Sequence, residues 1–324
     1  MRKLLIAGGM GHVGFETTKQ AAQQGIQVIA QYMNTFHKDA AENLGDNVTW
    51  VRCDLSDQYE LEMLAAEHDI EGCIHTAAIP NDALGLPQPL RTFQSNVVAT
   101  ELLLETARRQ KWKRFLFVST GSVHQELKDT FNPVLETLQA TPKTLYGGTK
   151  RAAEIMVEAY ANSYGLPAAT VRISWVFGPP LVPKVFEGPR GPIPEFLKRA
   201  MRGETVNEPS GGEFAASFTY VVDCAAGLLK VYQAKTLTHN LYHLGSGQSQ
   251  TTYQVVEAVN KAVAGAKITV GATAAPWADF TTLRGPLSCE RMRGDIGFTP
   301  AFTLDDAVTD FAKWMRAHPE SYQY

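Results

Sequence analysis

The sequence predicts an α/β fold built on a doubly wound parallel sheet. Over the first 175 residues, short apolar runs alternate with segments of helical periodicity. Most of these apolar runs are continuous rather than alternating, which is typical of strands covered by helices on both faces. Regular alternation of strand and helix predicts parallel strands joined by right-handed crossovers.

Six strands and four helices are expected in this first part of the chain. The strands are predicted at residues 3–7, 27–31, 48–52, 72–75, 114–119 and 168–174. The helices are predicted at about 12–24, 57–68, 95–110 and 146–164.

The pattern changes after Ser174. The segment 178–194 is rich in proline and glycine but also carries apolar residues, which predicts a long ordered loop that acts as a lid. Beyond it we expect a strand–helix unit and three further helices, the last of which starts after Thr303 as its N-cap. The unit is predicted near 218–232 and the helices near 194–202, 252–264 and 304–316.

Composition excludes several classes of protein. Thirty Lys and Arg residues against 33 Asp and Glu leave a net charge of −3, so nucleic-acid binding is not expected. The four cysteines form no CxxC pair, which predicts neither a disulfide framework nor a metal site. No apolar run reaches the roughly 18 residues of a membrane span, so no membrane partner is expected and a cytoplasmic location is predicted.

A glycine-rich loop follows the first predicted strand. Residues 8–14 read Gly-Gly-Met-Gly-His-Val-Gly, which fits GxGxxG or GxxGxxG depending on the starting glycine. Glycines permit a tight turn and the close approach of a pyrophosphate to the positive N-terminus of the following helix. Because a strand precedes the loop and a helix follows it, the sequence predicts a Rossmann-type dinucleotide site.

The choice between NAD and NADP stays open. An acidic residue at the end of the second strand would contact the ribose hydroxyls of NAD, but that strand ends at Tyr32 without one. Asp39 comes too late in the loop, and His37 and Lys38 are suitable for a 2′-phosphate. Either dinucleotide therefore fits this position.

Tyr146 and Lys150 form a YxxxK pair on a predicted helix. Residues four apart share one helix face, so the phenol and the ammonium can reach the same bound molecule. We expect the nearby cation to lower the pKa of the phenol from about 10 toward neutrality. Tyr146 would then serve as a general acid or base for a hydroxyl or carbonyl group.

These two motifs occur with several others in a fixed order. Asp54–Leu55 follows the third strand, and further matching segments lie at 75–78, at Asn96, and at 117–124, 218–223 and 244–247. In this order the sequence resembles the extended short-chain dehydrogenase/reductase family, the NAD-dependent epimerase/dehydratase group, over about residues 3–315. The resemblance implies that residues 1–177 with about 217–245 bind the dinucleotide, while about 178–216 and 246–324 bind substrate.

The resemblance also implies roles for individual residues. The catalytic residues are Thr120, Tyr146 and Lys150. The cofactor-binding residues are Gly8, Gly11, His12, Val13, Gly14, Tyr32, Asp54, Leu55, Thr76, Ala77, Ala78, Asn96, Ser119, Tyr146, Lys150 and Ser174.

Some of these residues have simpler interpretations that stay open. Asp54 can cap a helix, and Asn96 can pin its own helix. His75, within the segment 75–78, is expected to be a core histidine. Ser122 is the alternative to Thr120 as the hydroxyl that orients substrate.

Two departures from the family pattern concern the substrate. Trp175 stands where the sugar-nucleotide enzymes carry an asparagine, and Ala216 stands where they carry an arginine for the diphosphate. Losing that guanidinium removes charge-assisted hydrogen bonds. Arg284 falls near a second phosphate-contacting arginine of the family, with an ion pair between the two parts of the chain as its alternative role.

We therefore expect a small hydroxylated substrate, such as a sugar, sugar acid or polyol. Its predicted binding residues are Thr120, Trp175 and Arg284, with Lys184 and Arg190 of the lid as further cations.

The most direct functional interpretation is an NAD- or NADP-dependent dehydrogenase or reductase acting on a secondary alcohol or ketone. The alternatives are a nucleotide-sugar 4-epimerase and a non-catalytic dinucleotide-sensing protein. Gly121–Ser122 replaces the Asp–Glu pair that the resemblance implies for a dehydratase.

A homodimer is expected through the central helix and the YxxxK helix. Their apolar residues are Leu102, Leu103, Leu104, Ile155, Met156 and Tyr160.

Overall fold

The computed structural model describes residues 2–125, 129–180, 191–275 and 283–321. Within these residues, the main sheet consists of seven strands, which are β1 Lys3–Ala7, β2 Val28–Tyr32, β3 Val48–Arg52, β4 Ile70–His75, β5 Arg114–Thr120, β6 Ala168–Ile173 and β11 Leu241–Leu244. Their order in the sheet is β11-β6-β5-β4-β1-β2-β3, and every neighbouring pair is parallel.

Helices cover both faces of this sheet. The helices that accompany these strands along the chain are α1 His12–Gln23, α2 Lys38–Glu42, α3 Gln58–Glu67, α4 Asp82–Gly85, α5 Pro89–Phe93, α6 Ala99–Arg109, α7 Leu145–Tyr164, α9 Val221–Gln233 and α11 Glu290–Ile296. On one face, α3, α6 and α7 bury apolar residues against the strands, and on the other face α1, α9 and α11 do so. All seven residues of β5 are buried, as expected for a strand covered on both sides.

The remaining elements surround a third hydrophobic core. The helices are α8 Pro192–Met201, α10 Thr252–Ala262 and α12 Leu304–Ala317. The strands are β7 Val176–Phe177, β8 Thr205–Glu208, β9 Ala215–Ala216, β10 Thr219–Tyr220, β12 Gln250–Thr251 and β13 Lys267–Val270. The buried residues of this core come mainly from the three helices and from short strand pairs, in which β7 pairs with β10, β9 with β12 and β8 with β13.

The predicted doubly wound sheet is confirmed, with corrections of detail. All six predicted strands are present, and β11 adds a seventh strand at the edge beside β6. The central helix is not uniform, because Gln94–Val98 forms a π-helix that continues into α6. Thr303 caps α12 as predicted, since its side chain accepts a hydrogen bond from the Asp306 amide.

The predicted lid is described only at its ends. Residues 181–190, including Lys184 and Arg190, lie outside the described residues. Helix α8 begins at Pro192, within the segment that was expected to be a loop, because proline is well suited to the first turn of a helix. Among the helices described, none is both long and apolar enough to cross a membrane.

Candidate active site

The glycine loop between β1 and α1 is closed tightly against the end of β4. Gly8 has φ of +83°, and a Cβ atom at this position would lie 2.7 Å from the backbone nitrogen of Ala77. A Cβ atom on Gly14 would lie 2.1 Å from the carbonyl oxygen of Gly8. Gly8 therefore requires glycine for reasons of conformation and of space, and Gly14 for reasons of space.

Gln31, the fourth residue of β2, anchors this loop from the side. The Gly8 amide donates to its Oε1 atom at 2.8 Å, and the Gly9 amide donates to its carbonyl oxygen at 2.7 Å. Its own side-chain nitrogen donates to the Cys53 carbonyl at 2.5 Å. No motif singled out Gln31; the only signal was a polar residue within an apolar strand.

The start of α1 is suited to an anion. Gly11 is its N-cap and supplies no side-chain cap, so the amides of Val13 and Gly14 in the first turn of the helix can bind a ligand. The His12 ring lies 2.8 Å from the Gly178 carbonyl oxygen and so ties the helix start to the segment after β7. The loop and helix start therefore fit a pyrophosphate.

Thr76, directly after β4, packs against the glycine loop. Its hydroxyl donates to the Ala7 carbonyl at 2.8 Å, and the amides of Thr76 and Ala77 donate to the same oxygen. Ala78 follows and is partly buried. The structure thus brings the predicted residues 76–78 against Gly8 and Gly14.

The predicted adenine-binding residues lie at the ends of β2 and β3. The Tyr32 ring packs against Phe36 with 4.8 Å between centroids. Asp54 accepts hydrogen bonds from the amide and hydroxyl of Ser56, whereas the N-cap of α3 is Asp57, so Asp54 does not cap that helix. The Leu55 side chain is buried in the core of the sheet.

Asn96 lies in the π-helix and holds the loop after β4. Its Oδ1 atom accepts from the Ile79 amide at 2.8 Å, and its Nδ2 atom donates to the Ile79 carbonyl and to Thr149 Oγ1. These contacts favour the alternative role, in which Asn96 holds its own helix and the loop after β4 in place.

His75 is a core histidine, as expected. It is fully buried, and its Nε2 atom lies 3.0 Å from Thr100 Oγ1. Burial, together with the positive charge of Lys150, lowers the pKa of His75 to about 3, so its ring is neutral near pH 7.

Thr120, Tyr146 and Lys150 come together at the carboxyl end of β5. Thr120 is the last residue of that strand, and its hydroxyl lies within hydrogen-bonding reach of the Tyr146 phenol. Tyr146 and Lys150 lie in the first turns of α7, and Asp82 Oδ1 accepts the Tyr146 backbone amide at 2.9 Å. Asp82 and the Thr144 N-cap together fix the start of this helix.

The pKa of Tyr146 moves opposite to expectation. Burial raises it to about 12 and outweighs the hydrogen bond from Thr120 and the charge of Arg284, both of which lower it. Lys150 is itself buried, so its pKa falls to about 7, and its Nζ atom donates to the Val118 carbonyl at 2.7 Å. The prediction that Lys150 brings the phenol toward neutrality is therefore wrong in this structure, because desolvation is the larger effect.

A buried network lies beside this trio. The Ser119 hydroxyl donates to Glu154 at 2.6 Å, and Arg172 donates two hydrogen bonds of 2.8 Å to the same carboxylate. Arg172 also contacts the Nε2 atoms of His124 and His243, at 3.0 and 3.3 Å. The only sequence signal for this network was an acidic residue, Glu154, four positions after Lys150. Ser119 belongs to this network, and Glu154 acts to raise the pKa of Lys150.

Ser174 and Arg284 meet on the other side of Tyr146. Arg284 Nη2 donates to Ser174 Oγ at 2.8 Å, and both residues are buried. Within the described residues Arg284 forms no ion pair, so its alternative role as an ion pair between the two parts is not seen there.

Trp175 adopts an unusual backbone conformation for a large side chain, with φ of +42°. Its ring packs edge-on against Phe214 and Phe218, so it belongs to the wall of the third core. Ala216 is buried in β9, opposite Gln250.

Comparisons with known proteins agree with this geometry. The model of the NAD dependent epimerase/dehydratase family matches residues 4–245. The chain is 28% identical over 277 residues to a dTDP-glucose 4,6-dehydratase of Xanthomonas campestris pv. campestris strain B100, covering 80% of this chain and 75% of that protein.

Two solved structures share the fold along nearly the whole chain. A UDP-glucose 4-epimerase of Thermotoga maritima with UDP-glucose gives a TM-score of 0.86 at 24% identity, covering 98% of this chain and 99% of the other. A Thermus thermophilus UDP-glucose 4-epimerase in complex with NAD gives 0.83 at 24% identity, with the same coverage. Since the family model covers most of the chain, this protein belongs to the NAD dependent epimerase/dehydratase family.

Proposed function

We propose that this protein is an NAD-dependent oxidoreductase that transfers hydride at a secondary alcohol or ketone of a small hydroxylated molecule. The observation that carries the proposal is the meeting of Thr120, Tyr146 and Lys150 at the carboxyl end of β5. In doubly wound sheets, ligands bind at this edge, where the strand order reverses, and here it reverses between β1 and β4.

The glycine loop supports a dinucleotide on this edge. Gly8 and Gly14 let the loop close tightly against the end of β4, Gly11 leaves space for a pyrophosphate, and the first amides of α1 would bind it. When bound, the nicotinamide supplies the hydride donor or acceptor. The complexes of related enzymes with NAD, including the Thermus protein, favour NAD over NADP.

Tyr146 is the proposed proton donor and acceptor. Its phenol is protonated at neutral pH, so it is ready to donate to the oxygen of a substrate carbonyl as that oxygen gains charge. Thr120 would hold the same oxygen through its hydroxyl. Lys150 would contribute positive charge beneath the site, and Glu154 would help to keep it charged.

The substrate region is proposed to be residues 178–216 and 246–324, with residues 1–177 and 217–245 holding the dinucleotide. The third core supports this division, because α8, α10 and α12 pack there rather than on the main sheet. The buried Ala216 argues against a diphosphate bound at that position, since a buried phosphate charge requires compensation.

The alternative is a nucleotide-sugar 4-epimerase, which the similarity to the Thermotoga enzyme with UDP-glucose favours. A dehydratase is disfavoured, although relatives carry that name, because Gly121–Ser122 provides no acid beside Thr120.

We further propose that the protein is a cytoplasmic homodimer. The four cysteines are free and buried, which suits a reducing compartment. Ile155 on α7 is 49% exposed and offers apolar surface for a partner copy.

The experiment is a substrate panel on the purified protein. Sugars, sugar acids and polyols are mixed with NAD or NADP and followed at 340 nm, while UDP-glucose is tested for conversion to UDP-galactose. Reduction of NAD by a member of the first group is expected. Interconversion of the UDP-sugars without net NADH would support the epimerase instead, and NAD binding without turnover of either kind would indicate a sensing protein.

A further inference from the structure

Arg284 is a buried cation for which the described residues provide no anionic partner. The residue is 8% exposed, and among the described residues its one hydrogen bond goes to the hydroxyl of Ser174. Its Nε atom is buried, and the described part of the chain offers it no acceptor. Burial lowers its pKa to about 10, so the guanidinium is still charged at neutral pH.

This arrangement is unfavourable for folding alone. A buried charge without a partner costs free energy, and apolar replacements of buried charges are often neutral or stabilising. A guanidinium kept in such a place is therefore explained best by an anion that it binds.

Gly121 makes room for the guanidinium. A Cβ atom on Gly121 would lie 2.7 Å from Arg284 Nε and 2.9 Å from Nη2. Gly121 directly follows Thr120, and the charge of Arg284 acts on the Tyr146 phenol. An anion on Arg284 would therefore lie beside the oxygen that Tyr146 protonates.

The position of Arg284 beside Tyr146 distinguishes between a diphosphate and a carboxylate as the bound anion. In a nucleotide sugar, the diphosphate is attached at C1, several bonds away from a reacting C4. A carboxylate within one or two carbons of the reacting carbon would reach Arg284, and its planar shape matches the edge of a guanidinium.

We infer that Arg284, with Ser174, forms a carboxylate site beside Tyr146, and that the substrate is a hydroxy acid whose carboxylate lies close to the reacting hydroxyl. This inference rests on the proposed function, since it places the reaction at Tyr146. The Ser174 hydroxyl accepts from Arg284 and can donate its own proton to the carboxylate.

The test compares matched acids and neutral molecules on the NAD-loaded protein. Gluconate is compared with sorbitol, glycerate with glycerol, and glucuronate with glucose, by calorimetry and thermal shift. At least one acid should bind at least tenfold more tightly than its neutral counterpart. Arg284→Met should abolish that preference and Arg284→Lys should retain part of it, while Arg291→Met, a control away from the site, should leave it unchanged.

The thermal stability of Arg284 variants distinguishes a binding role of this residue from a structural role. Without ligands, Arg284→Met should melt at the same temperature as the wild type or higher, and a clear loss of stability would contradict the inference. So would equal binding of every acid and its neutral counterpart. Stabilisation by sub-millimolar UDP or dTDP that depends on Arg284 would also overturn it, in favour of a diphosphate.

The proposed function fails in a different way. Absence of turnover with every substrate, in a protein that binds NAD, would contradict that function, yet the acid preference and its dependence on Arg284 would still be measured by binding.

Discussion

Around Tyr146, burial and nearby charges shift the pKa values of single side chains in opposite directions. Burial raises the pKa of the phenol and lowers that of Lys150, and the cation that lowers the Tyr146 pKa here is Arg284. Tyr146 is therefore protonated over the physiological range, and the ammonium of Lys150 titrates near neutrality. In the proposed function, Tyr146 is the side chain that donates its proton to a substrate carbonyl.

Removal of the phenol should impair chemistry but not binding. Tyr146→Phe keeps the ring and loses the proton donor, so turnover should fall by at least about a hundredfold with little change in NAD affinity. Steady-state kinetics and calorimetry measure the two effects. Tyr164→Phe, at an exposed position on the same helix, is the control, and near-normal turnover of Tyr146→Phe would show that another group moves the proton.

Buried neutral histidines should make the protein sensitive to acid. The pKa of His75 is about 3 in the folded state and 6.5 in the unfolded chain, so between these values the unfolded chain binds a proton that the folded protein excludes. The free energy of unfolding should therefore fall by about 2 kcal/mol from pH 7 to pH 5 through this group. Burial also lowers the pKa of His124 and His243, which adds in the same direction.

Urea unfolding at pH 7 and pH 5 tests this sensitivity. His75→Gln keeps a hydrogen-bonding group for Thr100 and removes the titration, so its stability should change less between the two pH values. An unchanged pH dependence in this variant would mean that His75 is not excluded from protonation.

At the level of whole elements, the β1–α1 turn and the α7–β6 contact hold the site together in different ways. The turn depends on the absence of side chains, because Gly14 packs its Cα against the Gly8 carbonyl. The contact depends on a buried ion pair, because Glu154 and Arg172 compensate each other where both are almost fully buried.

Substitutions at two glycines of the turn should affect NAD binding and folding stability separately. Gly14→Ala should lower the free energy of unfolding by at least about 1–3 kcal/mol, because its Cβ atom would overlap the Gly8 carbonyl. Gly11→Val should abolish NAD binding and leave the fold largely intact, since Gly11 lies where the pyrophosphate is proposed to bind and its Cβ atom would meet only the Gly8 carbonyl, at 3.2 Å.

Calorimetry with NAD and urea unfolding measure the two effects. Gly294→Ala, at an exposed position of α11 where a Cβ atom would meet nothing within 4 Å, is the control; it should leave NAD affinity unchanged and raise the free energy of unfolding by up to about 1 kcal/mol. Undiminished NAD affinity in Gly11→Val would refute the placement of the pyrophosphate.

The ion pair between α7 and β6 should be essential for stability. Glu154→Gln leaves the Arg172 charge buried without a counterion, which should cost roughly 3–5 kcal/mol. Glu158→Gln, on the exposed side of the same helix, should cost almost nothing. Equal urea midpoints for the two variants would mean that Arg172 finds compensation elsewhere.

Considered as a whole, the molecule leaves part of the predicted dimer surface buried. Leu103 and Leu104 are fully buried against the sheet and Tyr160 is nearly so, whereas Ile155 is half exposed and Leu102 and Met156 are partly buried. A helix pairing between copies would therefore depend on a smaller surface than the sequence pattern indicated.

Light scattering should show a dimer at micromolar concentration. Ile155→Glu should convert it to a monomer with little change in stability, because an exposed helical position tolerates charge. Tyr59→Glu, at an exposed position on α3, should leave the dimer intact. A wild-type mass equal to one chain would contradict the proposed assembly.

The amino-acid sequence was sufficient to predict the doubly wound sheet and the glycine turn, whereas the pairing of Tyr146 with Thr120 was implied by the resemblance to a family. The sheet and the turn depend on hydrophobic periodicity and on local turn chemistry, which neighbouring residues specify. The same local signals were too weak for β11, a four-residue strand whose place at the sheet edge follows from pairing with β6.

The electrostatics of the site required the three-dimensional packing. Three features of the site depend on elements that are distant along the chain. They are the loss of water around Tyr146 and Lys150, the ion pair between Glu154 and Arg172, and the approach of Arg284 to Gly121. Desolvation and charge pairing depend on which atoms surround a group in space. The motifs therefore identified the candidate catalytic residues, and the fold set their protonation and the charge beside them.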